Sequence, residues 1–86
     1  MNQNNYLVTT SLALAAAIQV SSSSRLHSIE WLSGSGKASF VFDRSDANLD
    51  EIVQLFWQRA LPLDALTYFE ALRYVKARLY EQGGKV

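Results

Sequence analysis

The chain has 86 residues, with 8 Lys and Arg against 8 Asp and Glu, 49% hydrophobic residues, one histidine and no cysteine. That length suits one domain with a small core, and the missing cysteines exclude disulfides and zinc sites of the Cys/His type. Zero net charge sets the chain apart from a globally basic nucleic-acid binder and from an acidic solubilising chain, so good packing or association with another chain has to supply stability.

Met1–Asn5 is polar and is expected to fray. Tyr6-Leu7-Val8 reads as a short strand, and Thr9, Thr10 and Ser11 as N-cap candidates. A helix should follow over Leu12–Val20, with Leu14, Ala15 and Ile18 on one stripe flanked by Leu12. The same apolar run, followed by Ser21–Ser24, loosely resembles a secretory leader. Residues 1–10 lack the Lys or Arg of a charged n-region, and the run is too short to span a bilayer. A cytoplasmic chain with no membrane association is expected.

Arg25–Leu32 and Lys37–Asp43 read as two strands joined by Ser33-Gly34-Ser35-Gly36, a hairpin signature. Alternation puts Ala38, Phe40 and Phe42 on one face of the second strand. In the first it puts His27, Ile29 and Trp31 opposite Leu26, Ser28, Glu30 and Leu32. Ile29 and Trp31 are expected to face the helices. Asn48 followed by Glu51 fits a capping box, and Leu49, Ile52, Val53 and Phe56 recur at the spacing of a buried helical face. Asp50 and Glu51 suit the start of that helix and Arg59 its end. Pro62 breaks it. Asp64 then caps a last helix, with Leu63 placed to staple against Tyr68. Its apolar stripe is Ala65, Tyr68, Phe69, Leu72, Val75 and Leu79, and Gly83 and Gly84 end it. The expected fold is one α+β domain over residues 1–86, frayed at 1–5 and 83–86. In it, a three-stranded antiparallel sheet carries about three helices on one face, in the order β-α-β-β-α-α.

Five segments together resemble DUF5659, a family of small bacterial domains. They are Thr9–Ala16 (TTSLALAA), Ser39–Phe42 (SFVF), Leu55–Trp57 (LFW), Tyr68–Arg73 (YFEALR) and Val75–Tyr80 (VKARLY). In order, they are spread over nearly the whole length of the chain. Two departures stand out: Ser11 occupies a position where the family usually has an acid, and serines follow the first helix where the family has a glycine. The resemblance implies a cytoplasmic α+β domain and no particular activity.

Catalytic equipment is sparse. His27 has Glu30 as its nearest acid in sequence, on the opposite strand face, so a surface or structural role is expected. The serines lack a nucleophile-elbow context and suit caps and loops. Asp43, Asp46, Asp50 and Glu51 form an acidic stretch whose spacing does not follow a calcium loop. Gly34-Ser35-Gly36 precedes a strand, where a phosphate cradle needs a helix. Lys37–Phe42 faintly resembles an RNA-recognition strand, but Phe40 and Phe42 read as core and no fourth strand follows. No cofactor and no metal are expected.

Two surfaces remain. Trp57, Tyr74 and Tyr80 are aromatics that so small a core cannot hold. Tyr74 lies about 200° round its helix from Leu72. They point to a non-enzymatic module that binds its own copies or another protein through an aromatic surface. The alternative is a nucleic-acid-associated regulator using Arg73, Lys76 and Arg78. Lys76, about 40° from Leu72, is expected to lay its stem on the core, with Arg73 and Arg78 on opposite sides.

Overall fold

A computed structural model of the chain describes residues 5–31 and 36–81. Its elements are β1 (Tyr6–Thr9), α1 (Leu12–Ser21), β2 (Leu26–Trp31), β3 (Ala38–Asp43), α2 (Leu49–Trp57) and α3 (Ala65–Leu79), the order read from the sequence. The sheet runs β1-β3-β2 with both pairings antiparallel. The Ser33–Ser35 part of the connection, the helix-ending Gly83 and Gly84, and the fraying ends apart from Asn5 fall outside the described residues. Gly36 is described, at φ +72°, in the left-handed region that glycine occupies at no steric cost.

β3 lies in the middle and is the most buried of the three strands, as a strand with neighbours on both sides should be. Phe40 and Phe42 point to the helices and join Leu26, Ile29, Leu14, Ala15, Ile18, Leu49 and Val75 in one core cluster. Val41 faces the other way and is still buried, flanked in register by Val8 and Ser28. Across that outer face the Tyr6 and His27 rings meet at 4.9 Å, tilted by 35°.

Simple alternation fails in β2. The pairing slips between Leu26 and Ser28, a bulge at His27 that adds one residue to the strand. Leu26 and Ile29 therefore both reach the core, although they are three residues apart. His27 is turned out to solvent. Trp31 keeps the helix-facing side expected of it. It stays on Ile29's face, opposite Ala38, but it ends the strand and remains 38% exposed.

α1 starts at Ser11, whose hydroxyl accepts from the Leu14 N–H at 3.0 Å. Five consecutive residues, Leu14–Ile18, are buried. A helix apolar all round is one covered on all sides. α1 packs against α3, α2 and β1, and its alanines permit that closeness. The Tyr68 hydroxyl on α3 donates to the Ala13 carbonyl at 2.9 Å, and its burial raises the phenol pKa.

α2 buries Leu49 and Ile52, with Val53 and Phe56 partly covered, as the periodicity predicts. Its start differs from the capping box. Asn48 makes no side-chain cap bond; its own N–H donates to Asp46 Oδ1 at 2.8 Å. Past the end of the helix, Arg59 takes φ +62°. The Arg59 N–H bonds the Phe56 carbonyl and the Ala60 N–H the Leu55 carbonyl, the paired bonds of a Schellman turn. That turn normally holds glycine. Arg59→Gly is expected to raise stability by about 0.5–1 kcal/mol in urea unfolding, because the strain relieved exceeds the entropy that glycine adds to the unfolded chain.

α3 is capped by Asp64, which accepts from the Thr67 N–H and hydroxyl at 2.9 and 2.8 Å. Ala71 and Val75 are buried, and Tyr68, Leu72 and Leu79 are half-buried. The expected stripe is corrected at Ala65 and Phe69, both exposed. The inward face runs through Ala71, because an alanine lets α3 close on α1. Among the described residues no helix is long and apolar enough to cross a membrane.

Candidate functional site

The exposed apolar residues fall into separate neighbourhoods. At the end of α2, Trp57 is 61% exposed. Its ring meets Phe56 edge-on at 5.0 Å and 78°. With Arg59, Leu61 and Leu63 these two line a cleft of about 400 Å³ where α2 passes into α3. The left-handed Arg59 makes the turn that brings Leu61 and Leu63 beside Trp57. The lining is aromatic and aliphatic with one guanidinium, a composition suited to an apolar side chain rather than to proton transfer.

Along α3, Leu66 is 64% exposed, Phe69 55% and Tyr80 58%. With Arg73 and Lys76, also exposed, they follow the spacing 66, 69, 73, 76, 80. That alternation of three and four is the seam by which one helix meets another. It spans about 21 Å and lies roughly 80° round from the half-buried Leu72. The Arg73 guanidinium lies 5.9 Å from the Phe69 ring centre, where cation–π attraction holds it along the seam. Lys76 stands in this seam, its side chain in solvent.

Tyr74 is exposed, as the sequence suggests, but it sits about 120° round the helix from Tyr80. Trp57, Tyr74 and Tyr80 share no ring contact among the described residues. Tyr74 instead pairs with Arg78, which donates to its hydroxyl at 3.0 Å and stacks at 5.9 Å from its ring centre. Both border a polar cavity beside the Ser22–Arg25 loop. Arg73 and Arg78 point about 140° apart, so the three expected nucleic-acid contacts do not share one face.

The acidic stretch organises backbone. Asp46 accepts from the Ser23 N–H at 2.9 Å and the Asn48 N–H at 2.8 Å, tying the α1–β2 loop to the start of α2. Those two N–H groups hold its carboxyl below the ordinary 3.8, the Ser23 bond contributing most. Asp43 is lowered chiefly by the Ser45 hydroxyl. Asp64 is lowered chiefly by the Thr67 N–H. Asp50 is ion-paired with Arg44 at 3.0 Å. Among the described residues no three His, Asp or Glu side chains gather as a metal would require.

Carboxyls whose pKa is depressed by folding stabilise the fold above their unfolded value, and that contribution is lost as the pH falls through the folded value. Urea midpoints are therefore expected to stay level down to the ordinary 3.8 of these groups and to fall below it. Asp46→Asn should make that fall shallower. A midpoint that rises on acidification would contradict the assignment.

Leu66 escaped the sequence reading because it falls between Ala65 and Tyr68, off the stripe assigned to the core, and Phe69 because it was counted in that stripe. The seam spacing was present in the residues from Leu66 to Tyr80. Arg25 carried no motif, since it joins Arg78 only through the fold. Comparison of this chain with protein-family models, with curated proteins and with solved structures gave no match.

Proposed function

We propose that the chain is a small non-enzymatic interaction module that self-associates, with the α3 seam of one copy packing on that of another and Trp57 extending the contact. The exposed run of Leu66, Phe69 and Tyr80 at seam spacing is the observation that carries this reading. A seam meeting its own copy about a twofold axis needs complementary charge. Glu70 flanks it while Arg73 and Lys76 stand in it, and the zero net charge of the chain adds no overall repulsion. The reading keeps the cytoplasmic location expected from the sequence, and the DUF5659 resemblance is compatible with it.

Sedimentation equilibrium over a micromolar to millimolar series tests it. The wild type is expected to dimerise. Phe69→Glu places a charge in the seam and should weaken dimerisation at least about tenfold, with Trp57→Ala weakening it less. A wild type that stays monomeric through the series would remove the proposal. So would a Phe69→Glu variant that associates as well as its parent.

A further inference from the structure

The cavity beside the Ser22–Arg25 loop has no part in the seam. It measures about 340 Å³ and is lined by Gln19, Ser22–Ser24, Arg25, Leu26, Tyr74 and Arg78. Three separate elements supply its polar groups: the end of α1, the loop before β2 and the C-terminal half of α3.

The donors in this lining outnumber the acceptors left open. Arg78 is half-buried and contacts the Tyr74 hydroxyl and ring; no carboxylate among the described residues pairs with it. A half-buried guanidinium without a counter-ion is costly. Because the Tyr74 oxygen accepts from Arg78, its own proton is left to donate. The Arg25 side chain forms no ion pair among the described residues; its charge acts at a distance on Asp43. The Asp43 and Asp46 carboxylates accept backbone N–H groups, and neither lines the cavity. The end of α1 contributes about half a negative charge, which two guanidinium groups outweigh. Gln19 Oε1 is enclosed without a hydrogen-bond partner. Reversed, the same amide puts an N–H in its place.

We propose that this cavity binds a small free oxyanion, a phosphate or carboxylate group, held by Arg25 and Arg78 with the Tyr74 hydroxyl donating to it. Arginine suits such groups because its planar fork meets two oxygens at once.

The test is a titration of the full chain with inorganic phosphate and, separately, with succinate. Each is followed by amide NMR and compared with sodium chloride at equal ionic strength. Saturable shifts at Ser22–Arg25 and at Tyr74–Arg78 are expected with at least one of the two anions and not with chloride. Arg78→Gln and Arg25→Gln should each weaken that binding about tenfold, and Tyr74→Phe should weaken it less. Spectra that superimpose elsewhere show that a variant is folded. Should Arg78→Gln not fold, Arg25→Gln decides by itself. Shifts matched by chloride overturn the proposal, and so does binding that survives the loss of Arg25.

Discussion

Phe42→Ala is expected to lower the unfolding free energy by about 3–5 kcal/mol. Phe42 is the largest of the fully enclosed side chains. It belongs to the central strand, held between Leu7 and Leu26 in register, and shares its cluster with Leu14 and Ile18 of α1, Leu49 of α2 and Val75 of α3. Removing the ring leaves a void inside that shared core, and a helix resting on two others cannot move in to fill it. A domain of this size holds roughly 4–13 kcal/mol in all, so much of its stability would go. Urea unfolding followed by circular dichroism measures the loss. Phe69→Ala provides the contrast: its ring stands in solvent, and a loss of about 1 kcal/mol or less is expected. Equal losses at the two positions would mean that the core has been misplaced.

The second large effect is expected from adding atoms. Ala16→Leu inserts an isobutyl group at a site with no exposed surface, inside the layer where α1 meets its neighbours. Leucine and alanine are both strong helix formers, so local helicity does not account for the result. The expected cost is about 1–3 kcal/mol, from displaced backbone and strained rotamers. Ala13→Leu makes the same change one turn earlier at an exposed position, where it should be close to neutral. The difference between the two in thermal unfolding isolates the closeness of α1 to its surroundings. A neutral Ala16→Leu would indicate a loosely filled interior.

Much of the architecture was legible in the residues. The strand–helix order, the Ser11 and Asp64 caps, the inward set of β3 and the buried face of α2 all follow from local pattern, because each depends on neighbours within about four positions in sequence. The misreadings share a different origin. The bulge at His27 depends on how β2 pairs with β3, and no count along β2 alone reveals it. Asn48 had the capping-box sequence, yet Asp46 took over the organising role because Ser23, twenty-three residues earlier, lies within its reach. α3 carries enough apolar residues for two faces, and only the position of α1 selects Ala71 and Val75 over Ala65 and Phe69. The candidate surface was half legible for the same reason. Exposure of Trp57, Tyr74 and Tyr80 followed from an excess of rings, whereas the pairing of Tyr74 with Arg78 and the polar cavity beside Arg25 arise from long-range folding.

The enclosed position of α1 has a consequence during synthesis. This greasy segment leaves the ribosome well before α3, which covers it and begins only at Ala65. At about 5–20 residues per second the interval is roughly 2–9 s. Throughout that time the nascent chain presents an unshielded hydrophobic rod, open to chaperones and to neighbouring chains. A message truncated before Ala65 would yield a polypeptide that cannot hide it and that the cell's proteases should clear quickly.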